Sequence, residues 1–309
     1  MAPILLALAT QTSTIARRSI LPQDTDRAIT EFQSNHSVFI DNVAKPRGEL
    51  LVFLPGTNGK TNNTDNFCKT AASLGYQVIN LMYPDDVPAT KVRSDKDRKA
   101  FENFRLEIIT GEDLSKAISV NRSNSIEHRL IKLLQHLDKS YPSERWGAFL
   151  TSKSELNWPQ IAVSGLSQGA GHAGLIATRR RVARAILFGG PKDYDRAVDK
   201  PAGWIGKTAT PTDLIFTFNH EQDLQGCDLS EQLEICRAMG LEEHGKAVDV
   251  DKVVLPFKGS RILTTDFPGT KVPSVQAHGS VVGDGSKAKL PNGKSLFEPV
   301  WVYMLTRKD

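Results

Sequence analysis

A serine set between two glycines is the feature of this 309-residue chain whose spacing best suits chemistry. Residues 161–174 begin as a short apolar run and continue with small residues that favour a helix, and the turn between reads Gly165-Leu166-Ser167-Gln168-Gly169. A serine on such a strand-to-helix turn is pushed out of the sheet, and the flanking glycines avoid clashes. The first N–H groups of the new helix point at the reacting oxygen. The pattern predicts Ser167 as a nucleophile and the backbone N–H of Gln168 as an oxyanion donor, although a glycine-rich turn without a chemical role has the same spacing.

A second motif suits different chemistry. Residues 56–61 read Gly-Thr-Asn-Gly-Lys-Thr, follow a strongly apolar run and resemble the phosphate loop of the Mur ligase family. Such a loop wraps phosphate in backbone N–H groups, with the lysine on phosphate oxygens and the threonine on Mg²⁺. The full motif requires glycine where Leu54 stands, and the loop continues into Asn62 and Asn63, a poor start for a helix. We therefore expect that Lys60 does not bind phosphate, and a nucleotide-dependent ligase is the alternative function.

Both motifs need a scaffold, and predicted strands alternate with predicted helices along the chain. Apolar runs bounded by turn-forming residues predict a strand before Ser167 and further strands at residues 37–43, 49–54, 76–83, 185–188, 214–218 and 261–265. Helices are predicted from residue 64 or 65, at 98–109, 126–137 and 229–239, and directly after Ser167. This order indicates a mostly parallel sheet with helices on both faces. No stretch looks like a linker, so residues 36–309 are predicted to form one α/β domain after an N-terminal extension of residues 1–35.

The alternation of strands and helices around the strand-to-helix turn at Ser167, a pattern known as a nucleophile elbow, resembles the α/β-hydrolase superfamily. The resemblance extends from about Glu49 to the C-terminus. The resemblance implies a triad in the order serine, acid, histidine, with the acid after a late strand and the histidine after the last one. Asp223 lies at the usual distance past its strand, and Glu221 and Asp193 are the alternatives. A carboxylate at this place fixes the imidazole tautomer and stabilises the imidazolium.

His278 is the one of seven histidines that follows the last predicted strand, in a small-residue segment that we expect to be a loop. An imidazole accepts and returns a proton near neutral pH, so His278 is the predicted base. The resemblance also implies a second oxyanion donor from the loop after an early strand, here the backbone N–H of Thr57 or Asn58. That loop has Pro55-Gly56 where the family commonly has His-Gly.

Composition and termini narrow the function classes. A net charge of +4 is mild for this length, which indicates no dedicated nucleic-acid surface. Three cysteines exclude a disulfide scaffold and a four-cysteine zinc site, and free thiols are favoured over a Cys227–Cys236 pair. No stretch after the N-terminus is long and apolar enough to span a membrane. Residues 3–9 are apolar but lack a preceding cation, and Arg17 and Arg18 among serines and threonines resemble a transit peptide, so the compartment stays open with cytoplasm slightly favoured.

The sequence therefore predicts a serine hydrolase that cleaves a carboxylic ester or related acyl compound through an acyl-enzyme, without cofactor or metal. Thioesterases, peptidases and acyltransferases use the same groups, and a binding protein that keeps the fold without catalysis is a further alternative. The charged insertion at residues 85–124, together with Trp204, is expected to shape the acyl pocket from the carboxyl ends of the strands. A peripheral solvated loop is the alternative for this insertion. Oligomeric state stays open.

Overall fold

The computed structural model describes residues 15–308, which form eleven strands and eight α-helices. The strands are β1 (Ile15–Ile20), β2 (His36–Asp41), β3 (Leu50–Leu54), β4 (Gln77–Asn80), β5 (Ile161–Leu166), β6 (Arg184–Phe188), β7 (Tyr194–Asp195), β8 (Lys200–Pro201), β9 (Ile215–His220), β10 (Val248–Asp249) and β11 (Ile262–Thr265). The helices are α1 (Pro22–Thr25), α2 (Asp65–Ser73), α3 (Ala100–Thr110), α4 (Ile126–Ser140), α5 (Gln168–Arg179), α6 (Leu229–Ala238), α7 (Ser274–Ser280) and α8 (Glu298–Thr306).

Nine of these strands form one sheet in the order β1-β2-β4-β3-β5-β6-β9-β11-β10. The pairs β1–β2 and β2–β4 are antiparallel, and every other neighbouring pair is parallel. β7 and β8 form a separate antiparallel pair. The predicted mixed α/β fold with a mostly parallel sheet is confirmed, and the architecture is compatible with an α/β-hydrolase.

The central strands are apolar on both sides because helices cover both faces of the sheet. In β3, Leu50, Val52 and Leu54 belong to one core cluster while Leu51 and Phe53 belong to the other, as the two-residue period of a strand requires. Helices α3, α4 and α5 pack in the first cluster, and α2 and α8 pack in the second. The carboxyl ends of β3, β5, β6 and β9 therefore open at one edge between the two layers.

Part of the predicted N-terminal extension belongs to the sheet. β1 is an edge strand, and its two arginines form ion pairs with the main fold: Arg17 Nε lies 2.8 Å from Asp65 Oδ2 and Arg18 Nη2 lies 2.6 Å from Glu144 Oε1. The apolar residues 3–9 lie outside the described residues.

In two segments the structure differs in detail from the sequence-based expectation. The His278 segment is the helix α7 and not a loop, and the insertion contains α3 and a short 3₁₀ turn at Ala89–Val92. Cys68, Cys227 and Cys236 are buried free thiols. Among residues 15–308, no helix has the length and apolarity needed to cross a bilayer.

Candidate active site

Ser167 occupies a strained turn between β5 and α5. Its backbone has φ 56° and ψ −114°, a region that a residue with a side chain rarely adopts. The Ser167 N–H donates to the carbonyl oxygen of Phe188 on the neighbouring strand at 2.9 Å, and its carbonyl oxygen accepts from the Gly171 N–H in the first turn of α5. The turn is thus held at both sides, at the carboxyl edge of the sheet.

The flanking glycines are required by close packing of the backbone. A Cβ atom on Gly169 would lie 2.0 Å from the Leu54 carbonyl oxygen, and one on Gly165 would lie 2.4 Å from the Gly169 carbonyl carbon. Both positions therefore exclude side chains, because the end of β3 passes directly over the start of α5. The same packing brings the loop after β3 next to Ser167.

Asp223 and His278 are in direct contact. His278 Nδ1 lies 2.7 Å from Asp223 Oδ2, and the carboxylate is completely buried. Burial acts to raise the pKa of Asp223, but the hydrogen bond and charge of His278, together with the charge of Lys192, outweigh it, and the pKa lies below its usual value. An ionised carboxylate only accepts, so Nδ1 carries a proton, and in the neutral form of the ring Nε2 is the acceptor.

Ser167 and His278 line one cavity of about 410 Å³. Its walls also include Thr57 and Gln168, and α3 of the insertion contributes Phe101. The structure thus brings the predicted nucleophile, the predicted base and two predicted oxyanion residues, Thr57 and Gln168, to one cavity.

Gln168 joins the two sides of this cavity through its side chain. Its Oε1 accepts from the Thr57 hydroxyl at 3.1 Å and from the Ala89 N–H at 3.0 Å. The Asn58 N–H donates to the Asp85 carbonyl oxygen at 3.0 Å. Of the two loop donors that the sequence left open, Thr57 is thus the one whose N–H is not engaged in this way.

Asp85 supports the loop after β3 from below. Its Oδ2 accepts from the Gly59 N–H at 3.0 Å, and the residue is only 2 % exposed. Burial, which the hydrogen bond from Gly59 only partly offsets, raises the pKa of Asp85 to about 7. The carboxyl group therefore titrates near neutral pH directly beneath the loop.

The alternative acids make other contacts. Asp193 is buried and forms a bidentate ion pair with Arg105 of α3, and its Oδ2 also accepts from Trp204 Nε1 at 2.7 Å. Arg105 Nη1 donates in addition to the Gln168 carbonyl oxygen at 3.0 Å. Glu221 accepts from the Thr264 hydroxyl at 3.2 Å.

Trp204 is buried, but it is not among the residues that line the cavity. Its indole ring lies beside Gly174 of α5, and the indole N–H donates to Asp193 Oδ2. The insertion itself does form cavity wall, through Pro88, Ala89 and Thr90 as well as α3.

Two other histidines near the site, His172 and His220, are buried among residues of the fold. His172 on α5 is completely buried with its ring edge-on to Tyr83 at 5.3 Å, and burial, with the nearby Arg105, lowers its pKa well below the ordinary value. His220 is also buried: Nδ1 accepts from the Gln222 N–H and Nε2 lies 2.9 Å from the Phe267 carbonyl oxygen.

The segment that resembles a phosphate loop is used differently. The Thr61 hydroxyl donates to the Asn35 carbonyl oxygen at 2.7 Å and is buried. The first N–H groups of α2, those of Asp65 and Asn66, donate to the carboxylate of Asp284 at 2.7 and 3.1 Å. A carboxylate from a distant segment thus occupies the place at the helix N-terminus where a phosphate would bind.

Three contributors to the site were not predicted from the sequence: Lys192, Arg105 and Asp85. Their partners are far along the chain, as with Lys192 and Asp223, which are 31 residues apart. For Asp85 and Arg105 the one available signal was the charge of the insertion in which both lie. Within residues 15–308, no cluster of three or more histidine, cysteine or acidic side chains could hold a metal ion. No protein-family model matches this chain, and no curated protein matches it at a significant level.

Proposed function

We propose that this protein is a serine hydrolase that cleaves a carboxylic ester or a related acyl compound through an acyl-enzyme. The observation that carries the proposal is the single cavity lined by Ser167, on its strained turn, and by His278, whose Nδ1 is held by the buried Asp223. A nucleophile, a base and a group that orients the base are the parts that this chemistry requires.

In the proposed mechanism, Ser167 Oγ attacks the acyl carbonyl carbon while His278 Nε2 takes the hydroxyl proton. The negative charge that develops on the carbonyl oxygen is stabilised by the backbone N–H groups of Gln168 and Thr57. His278 then returns the proton to the leaving alkoxide, and the acyl group stays on Ser167. Water then attacks the carbonyl carbon of the acyl-enzyme while His278 takes a proton from it. The proton passes to Ser167 Oγ as the carboxylic acid leaves.

The cavity limits the substrate class. A volume of about 410 Å³ is at the small end of ligand sites. The insertion contributes Pro88, Ala89 and Phe101 to its wall, beside the polar Thr90 and Arg105. We therefore propose a compact, mainly apolar acyl group.

The test uses a fluorophosphonate probe and a panel of nitrophenyl esters on the full chain. Ser167→Ala should abolish labelling and lower kcat by at least ~10³-fold, since no other group supplies the nucleophile. The matched control is Ser164→Ala, three residues earlier in β5, whose buried hydroxyl donates to the Ile186 carbonyl oxygen. This variant should lose about 1 kcal/mol of stability yet keep labelling. Wild-type labelling and turnover in folded Ser167→Ala would refute the proposal.

The nucleotide-dependent ligase receives no support from the site. The Thr61 hydroxyl and the N-terminus of α2 are both engaged by protein groups. Mg-ATP binding that is lost in Lys60→Ala would reverse this conclusion.

A further inference from the structure

Lys192 shares the carboxylate oxygen that holds His278. Its Nζ lies 2.7 Å from Asp223 Oδ2, the same atom that His278 Nδ1 contacts at 2.7 Å. The lysine side chain is 7 % exposed and lies in the cavity wall, and the second carboxylate oxygen accepts from the Gln225 N–H at 2.9 Å. The proposed hydrolase mechanism assigns no role to this buried cation.

We propose that Lys192 is a positioning residue of this site, which acts through Asp223 to set the pH range in which His278 works as a base. The inference rests on the proposed function of the preceding subsection. Two cations cannot both be fully stabilised by one carboxylate. The ammonium of Lys192 therefore opposes the imidazolium that forms when His278 takes a proton, so the ring stays neutral at lower pH and returns its proton more readily.

The other charged groups beside Lys192 do not cancel this effect. Asp193, the next residue, is neutralised by Arg105 and by the indole N–H described above. Glu231 of α6 forms an ion pair with a surface arginine. Burial raises the pKa of the Cys227 thiol, so that group stays uncharged. Asp223 is the one carboxylate in direct contact with the ammonium among the ion pairs of the described residues.

The size of the effect follows from the geometry. Since both nitrogens lie 2.7 Å from one oxygen, they are no farther apart than twice this distance. With an effective dielectric constant between that of a near-surface pair and that of bulk water, a unit charge so close shifts a titration by on the order of one pH unit. A charge at the opposite end of the sheet is screened by solvent and ions and shifts it far less.

The experiment measures fluorophosphonate inactivation rate against pH for Lys192→Met, Lys192→Gln and Lys192→Arg, each checked for folding. Glutamine still donates to Asp223 but lacks the charge, whereas arginine keeps the charge. Lys153→Met is the control, because the exposed Lys153 precedes β5 at the edge of the sheet opposite Ser167. We expect the acid limb to move up by about one pH unit in the methionine and glutamine variants, and to stay near wild type in the arginine and control variants.

A carbon-13 NMR titration of the His278 ring gives the same comparison without any substrate. The ring resonance, identified by its loss in His278→Ala, should titrate about one pH unit higher in Lys192→Gln than in wild type. Equal midpoints in the glutamine variant and wild type would overturn the inference. If the midpoint moves while no serine reacts with the probe, the Lys192 coupling stands and the hydrolase proposal fails.

Discussion

Asp85 provides a test of the site that needs no substrate. Its carboxyl group is buried beneath the loop after β3, and its pKa is raised to about 7, chiefly by burial. The substitution Asp85→Asn keeps the size of the side chain and a carbonyl oxygen to accept from the Gly59 N–H. It removes only the ability to ionise.

The sign of the effect follows from proton binding. An unfolded aspartate has a pKa of about 3.9, so between about pH 4 and pH 7 the folded protein holds a proton that the unfolded chain releases. The contribution of Asp85 to the free energy of unfolding must therefore fall as pH rises through this window. With a folded pKa of about 7, the loss attributable to Asp85 between pH 5 and pH 8 is about 2.5 kcal/mol.

Urea unfolding followed by tryptophan fluorescence at pH 5, 6, 7 and 8 measures this difference. Asp85→Asn should gain about 2.5 kcal/mol on wild type between pH 5 and pH 8. Asp113→Asn is the matched control, because Asp113 belongs to the same insertion but is exposed. Its difference from wild type should stay constant within about 0.5 kcal/mol. If Asp85→Asn also shows a constant difference, Asp85 is ionised across the range and the account of its burial is wrong.

Three further predictions concern the site and its support. His278→Ala should lose fluorophosphonate labelling and lower kcat by at least ~10³-fold, whereas His136→Ala, at a partly exposed position of α4, should keep both labelling and turnover. Full labelling in folded His278→Ala would contradict the assignment of the base. Gly169→Ala should destabilise the fold by about 3 kcal/mol or more in urea unfolding, since its Cβ would lie 2.0 Å from a carbonyl oxygen, and wild-type stability would show that the elbow relaxes at no cost. Trp204→Ala should destabilise the protein by about 3–5 kcal/mol through a cavity and a lost partner of Asp193, with chain-length preference on nitrophenyl esters altered less than stability; the reverse result would place Trp204 in the pocket.

Local pattern in the sequence was sufficient for most elements of the fold. The apolar run at residues 50–54 and the periodic leucines of α4 predicted a buried strand and an amphipathic helix, because side-chain direction repeats with a fixed period in each. The Gly165-x-Ser167-x-Gly169 spacing predicted the strand-to-helix turn for the same reason, since the steric demands of that turn lie within five residues. The mostly parallel sheet followed from the alternation of these elements. The roles of Ser167, Asp223 and His278 in catalysis stay predictions.

Tertiary structure decided what lies between elements. It placed Ile15–Ile20 at the edge of the sheet, although its arginines resembled a targeting signal, because their partners Asp65 and Glu144 come from distant segments. The His278 segment is also helical in the folded chain, and Trp204 donates a hydrogen bond to Asp193 and does not line the cavity.

The charged groups around the cavity depend on tertiary structure for the same reason. Arg105 and Asp193 are 88 residues apart, and Lys192 and Asp223 are 31 apart. No periodic pattern links such pairs, because their contact depends on the order of strands in the sheet and on the path of the loops at its carboxyl edge. The sequence by itself determined the seven strands from β2 to β6, β9 and β11, the helices α2 to α6 and the serine turn. Only the folded chain decided which charges meet at the site.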